Sequence, residues 1–250
     1  FGGVGSSGRR FAEPELHELH IGADWSWRRA LTAGKPPFPR AYHTCTALGG
    51  GRLLLFGGND VEKSFKKLHV LDLATMSWEH PDASGDVAGP AARTGHAAVC
   101  LDGVHVLVHG GWDYAADGEG YDFRDDAYVL DTRTWAWTKL KPKGAPPPPR
   151  VGHSLVALDA AAAGGSAPAL VLFGGRGADE NALGDLYVLA PKAAWRYAAP
   201  RPTPMPAAPS IDAAVEQIKL LVEQLNFHCE KTTERAMLAE MEATKRKLDA

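Results

Sequence analysis

An Arg-x-x-His element occurs three times in this chain, each time followed by an apolar run that ends in two glycines. Arg40 and His43 lead to Phe56-Gly57-Gly58, Arg93 and His96 to His109-Gly110-Gly111, and Arg150 and His153 to Phe173-Gly174-Gly175. After each glycine pair come a polar loop, a short strand pattern and a tryptophan, in LHVLDLATMSW (68–78), AYVLDTRTWAW (127–137) and LYVLAPKAAW (186–195). FGG (1–3) and LHELHIGADWSW (16–27) supply the second half of an earlier copy. A period of roughly fifty residues means stacked supersecondary units that share one core, not a single site.

Each unit predicts four antiparallel strands. In the first full copy these are HTCTAL, then RLLLFGG, apolar nearly throughout and so buried on both faces, then LHVLDL, and an outer strand around Trp78. Glycine hairpins join the first two strands, GGG at 49–51 and DG at 102–103, and the third copy swells there to DAAAAGGSAPA (159–169), where added loop length costs little. The reading is an all-β propeller over 1–199 of about 3.5 blades, with a half blade at 1–39 and blades at 40–92, 93–149 and 150–199.

The tail departs from this pattern. PRPTPMPAAPS (200–210) is a stiff proline-rich linker, assigned to 200–209. A single long amphipathic helix is expected over 210–250, capped by Ser210, with Ile211, Val215, Ile218, Val222, Leu225 and Cys229 spaced four and three apart. That narrow stripe suits a coiled coil, by self-association or with a partner helix; folding back onto the propeller is the alternative.

Through the Arg-x-x-His opening, the strand ending in Gly-Gly, the third strand and the closing tryptophan, residues 1 to about 199 resemble the kelch-repeat family. His109 in place of an aromatic and Ala190 in place of Asp72 and Asp131 are small departures. Propellers of this kind close with about five to seven blades, so the resemblance implies upstream blades, and FGG at the start reads as the end of a strand. It also implies a partner-binding mouth, formed by the opening arginines Arg40, Arg93 and Arg150 and by the residues after each glycine pair: Asn59 and Asp60, Trp112 and Asp113, and Arg176. The arginines either grip partner carboxylates or serve blade packing alone. Similar propeller and coiled-coil chains include cytoskeletal organisers, trafficking effectors and acyl-CoA-binding proteins with kelch repeats.

Composition narrows the partners. A net charge of −3 gives no drive towards nucleic acid, and no apolar run approaches the ~20 residues of a membrane span. Three scattered cysteines, Cys45, Cys100 and Cys229, form neither a disulfide framework nor a CxxC, which fits a reducing cytoplasmic compartment.

Catalytic and metal readings find little footing. His43, His96 and His153 repeat with the fold and read as scaffold, and His17-x-x-His20 falls on opposite faces of a strand. In GWDYAADGEGYDFRDD (111–126), Asp113, Asp117 and Gly118 match parts of a calcium loop, but Ala115 and Arg124 stand where ligands are required. That stretch is either a solvated acidic loop or a contact surface for a basic partner. No catalytic residues, metal or cofactor are assigned. The expectation is a protein-interaction scaffold or adaptor, with a ubiquitin-ligase substrate receptor, or the non-catalytic kelch part of a larger enzyme, as alternatives.

Overall fold

The computed structural model describes residues 1–5, 15–21, 24–83, 89–158 and 169–189. Strands β1 (Leu16–His20) and β2 (Ser26–Ala30) pair as a hairpin. Next, β3 (Ala33–Gly34), β4 (Ala41–Leu48), β5 (Arg52–Asn59), β6 (His69–Asp72) and β7 (Ser77–Glu79) make one sheet in the order β3-β7-β6-β5-β4. The second blade, ordered β13-β12-β9-β8, contains β8 (Ala97–Cys100), β9 (His105–His109), β12 (Ala127–Asp131) and β13 (Ala136–Lys139). Between β9 and β12 a separate hairpin forms from β10 (Trp112–Tyr114) and β11 (Tyr121–Phe123). In the third blade β14 (Ser154–Leu158), β15 (Ala169–Phe173) and β16 (Leu186–Leu189) are ordered β14-β15-β16. The proline-rich linker, the expected helix and Trp195 lie outside the described residues.

Local chemistry explains the strand ends. Asp72 Oδ1 accepts from the backbone N–H groups of Ala74 and Thr75, and Asp131 Oδ1 does the same for Arg133, turning the chain from the third strand to the fourth. Met76 and Trp135 occupy the same left-handed position in these turns, at φ 51° and 58°. Strand β3, from the segment ahead of Arg40, adds a parallel edge to the first blade: Ala33 N–H donates to Met76 O at 2.8 Å, and Trp78 Nε1 donates to Thr32 Oγ1 at 3.2 Å.

The core lies between blades. Leu54, Phe56, Leu68 and Val70 of the first pack against Val106, Val108, Tyr128, Leu130 and Trp137 of the second. Full burial of such side chains stabilises by about 1.5–3 kcal/mol each. Phe56 meets Trp137 with ring centroids 5.4 Å apart, and Phe1 meets Trp78 at 5.8 Å. Leu107 and Val129 repeat the layer against Leu170 of the third blade.

The glycine pairs make this closeness possible. A Cβ on Gly57 would lie 2.4 Å from His96 Cε1, and one on Gly110 would lie 2.8 Å from His153 Cε1, each histidine belonging to the next blade. The second glycine then packs on its own blade's histidine, with a Cβ on Gly58 falling 2.8 Å from His43 Cβ. Its N–H donates to the next blade's arginine carbonyl: Gly3 to Arg40, Gly58 to Arg93 and Gly111 to Arg150, all at 2.9 Å. Phe1 to Gly3 therefore sit against the first blade as Phe56 to Gly58 sit against the second.

Candidate partner-binding face

The three repeated arginines are interior. Arg40, Arg93 and Arg150 are 1%, 0% and 0% exposed. Each Nε donates to the carbonyl two residues earlier, and each Nη1 donates to the first glycine of its own pair: Gly57, Gly110 and Gly174 at 3.0, 2.9 and 2.9 Å. Arg93 adds an ion pair to Asp126 at 2.8 Å, and Arg150 a two-pronged one to Asp185 at 2.6 and 2.7 Å. That bond also holds the Asp185 carboxyl below its ordinary pKa. Arg40 instead lies over the Phe65 ring, 4.1 Å from its centroid, and burial lowers its pKa to about 10 despite the opposing charge of Asp60. Guanidinium groups bonded in this way tie the first two strands of each blade together, and their heads offer no surface to a partner.

The histidines do comparable work between blades. His96 Nε2 shares a hydrogen bond with Thr44 Oγ1 of the preceding blade at 2.8 Å, and His153 Nε2 shares one with His109 Nδ1 at 3.0 Å. Burial, reinforced by neighbouring cationic side chains, lowers His43 and His109 to about 4 and His96 and His153 to about 3. They are neutral at pH 7. Among the described residues no group of three or more His, Cys, Asp or Glu side chains is placed to hold a metal ion.

The residues following the first two glycine pairs meet at one end of the blades. Asn59, 2% exposed, donates from Nδ2 to Tyr114 Oη at 3.3 Å, and that hydroxyl reaches Asp60 O at 3.5 Å. Asp60 Oδ1 accepts from the N–H groups of Glu62 and Lys63, fixing the first blade's loop. Trp112 exchanges backbone bonds with Thr94 at 2.8 and 2.9 Å, and Asp113 Oδ1 accepts from Tyr114 N–H. Arg176 holds the corresponding place on the third blade, its side chain exposed and its backbone bridged to Val151 and Ala182.

Three residues of this face were absent from the sequence expectation. Tyr114 and Tyr121 pack with Trp112, at 5.2 and 4.4 Å between centroids, on one side of the β10–β11 hairpin. The alternation of Trp112-x-Tyr114 and Tyr121-x-Phe123 was the available signal. Tyr42 is the third. It lies inside Arg-x-x-His where the other copies carry Gly95 and Gly152, and it shares their left-handed backbone, at φ 57° against 65° and 65°. Its ring is 59% exposed. Gly95 N–H donates to Tyr42 O, and Gly152 N–H to Gly95 O, at 2.9 and 2.8 Å, so the three positions link blade to blade. Trp112 Nε1 lies 3.9 Å from where a Gly95 Cβ would stand, which puts the indole beside this junction.

Comparison with known proteins agrees with this geometry. A family model described as the KLHDC2/KLHL20/DRC7 Kelch-repeats domain matches residues 1–163. The chain belongs to the kelch-repeat family. Acyl-CoA-binding domain-containing protein 5 of Arabidopsis thaliana is 38% identical over 134 residues, 53% of this chain and 19% of that protein. Serine/threonine-protein phosphatase BSL2 of the same plant is 32% identical over 193 residues, 75% of this chain and 17% of the relative. The kelch chain thus spans less than a fifth of the length of either. The solved structure of YjhT shares the fold, with a TM-score of 0.53 and 17% identity over 76% of this chain and 64% of that one. Among the described residues, no helix is long and apolar enough to cross a membrane.

Proposed function

We propose that this kelch chain is a protein-interaction module, a scaffold or adaptor that takes its partners on the face carrying Asn59, Asp60, Trp112, Asp113 and Arg176, with Tyr42 and Tyr121 added. The observation that carries this reading is Tyr42. A tyrosine in a left-handed backbone costs about 1 kcal/mol relative to the glycine of its sibling blades, and at 59% exposed the side chain is held at the surface and not in the core. An exposed aromatic whose backbone bonds Gly95, the residue that Trp112 approaches, marks this junction as a surface kept for contact. Arg40, Arg93 and Arg150 contribute by holding the strands whose ends present these residues. The linker and coiled-coil tail would bring two such faces into one assembly and raise avidity through effective concentration.

The match to BSL2 over 75% of the chain favours a second reading, the non-catalytic kelch part of a larger enzyme, in which the same face recruits substrate proteins.

The test is affinity capture from lysate of the source cells with the full chain and with a Tyr42→Gly, Trp112→Ala variant that keeps the wild-type circular dichroism spectrum. Loss of the captured proteins is the expected result. Recovery of the same set by the variant would remove this face from the function.

A further inference from the structure

The outer tryptophans of the first two blades fill the gap to the blade before. Trp78 is 6% exposed and packs on Phe1, and Trp137 is 4% exposed and packs on Phe56. Strand pairing sets Trp78 opposite Leu71 and Trp137 opposite Leu130, and opposed residues share a side of the sheet. Leu71 and Leu130 are completely buried.

The junction between the second and third blades is different. A cavity of about 150 Å³ lies there, walled by Leu107 and His109 of the second blade and by Leu170, Leu172 and Leu189 of the third. Pro146 and Pro147, from the segment that leads into Arg150, line it as well. Leu189 holds the place of Leu71 and Leu130 in the repeat, and Tyr187 that of Tyr128, yet both are only half-buried. His109 precedes its glycine pair just as Phe1 and Phe56, the rings that meet the tryptophans, precede theirs. It is 6% exposed, its Nδ1 is bonded to His153, and its Nε2 has no partner among the described residues.

We propose that this cavity is the seat of the chain's own Trp195, which completes the third blade as Trp78 and Trp137 complete the first two. A cavity of this size with apolar walls admits an aromatic ring. Indole also supplies the N–H donor that His109 Nε2 lacks in the tautomer whose Nδ1 donates to His153. The spacing agrees. Trp78 and Trp137 lie seven residues after Leu71 and Leu130, across four-residue turns, whereas Trp195 lies six after Leu189. A three-residue turn therefore keeps Trp195 opposite Leu189, on the side that walls the cavity. Ala190 fits the shorter turn, because Asp72 and Asp131 in its place bind the backbone of the four-residue ones. The linker begins five residues beyond Trp195, so seating the indole fixes the junction from which the tail leaves the propeller.

Fluorine NMR of the full chain labelled with 5-fluorotryptophan tests this, the Trp195 resonance being identified by its loss in Trp195→Phe. Its shift on transfer to heavy water is expected to be as small as those of Trp78 and Trp137, well below those of Trp25 and Trp27, which are 67% and 68% exposed. Trp195→Ala is expected to lower the melting temperature by roughly 10 °C. Added indole should restore part of that loss in the variant and leave the wild-type chain unchanged. A Trp195 solvent shift equal to that of Trp25 overturns the proposal. So does an equal rise in melting temperature of both chains with indole, which would make the cavity an open site for an aromatic ligand from outside the chain. The fluorine measurement needs no alanine variant, so it decides the matter even where Trp195→Ala fails to fold.

Discussion

Lys67→Asp should make this protein more stable. The backbone bonds Phe65 N–H to Gly58 O, Arg124 N–H to Gly111 O and Leu183 N–H to Gly175 O set the three loops in register. Two residues further on stand Lys67, Asp126 and Asp185. The two aspartates pair with Arg93 and Arg150, while Arg40 faces no carboxylate there and has its pKa lowered to about 10 from 12.5 by burial. At about 1.4 kcal/mol per unit, the shift bounds the recoverable energy at roughly 3 kcal/mol. The new carboxylate would be partly exposed, as Asp126 and Asp185 are at 18% and 36%, so about 1–2 kcal/mol is the expected gain. Lys67 contributes its carbonyl to His69 Nδ1, a backbone contact that the substitution leaves alone. For a chain of this size the gain corresponds to about 3–6 °C in melting temperature. Thermal unfolding at pH 7, checked by urea titration, reads it. Asp126→Asn serves as the reciprocal and should lose stability. An unchanged or lowered melting temperature for Lys67→Asp, with Asp126→Asn destabilised, would refute the claim that Arg40 lacks a charge its siblings have.

Two further outcomes follow from the blade interfaces. His96, His109 and His153 have native pKa values of about 3 to 4, below the ~6.5 of an unfolded histidine. Unfolding therefore takes up protons in acid: their contribution is complete above pH 6.5 and declines as pH falls towards 4, by up to about 1.4 kcal/mol per unit for each histidine. Urea unfolding at pH 7 and 5.5 should differ by a few kcal/mol, and identical midpoints would contradict neutral interface histidines. Gly57→Ala should cost more than about 2 kcal/mol, because its Cβ would stand 2.7 Å from Arg93 O as well as in a left-handed backbone at φ 67°. Gly50→Ala, at φ 72° with open space around it, should cost only about 1 kcal/mol, and equal losses at the two sites would show that interblade contact is not what the glycine pair protects.

The repeat was legible because it is written in residue order. Strand period, glycine hairpins and the recurrence of Arg-x-x-His with Gly-Gly all depend on neighbours within one unit, so they identified the blades and separated scaffold histidines from catalytic ones. What the sequence could not reveal is which side of each blade a recurring side chain faces. Arg40, Arg93 and Arg150 look like a ring of binding cations until the strands close over them, because burial depends on residues 17 to 35 positions away. Segment 112–126 reads as a polar loop, since its two short strands are separated by six residues; cross-strand pairing alone sorts its aromatics to one side and opposes its carboxylates on the other. Tyr42 shows the same division. Its departure from glycine is visible when the copies are aligned, whereas its left-handed backbone, its exposure and its bond to Gly95 of the next blade, which Trp112 approaches, arise only when the blades stand together.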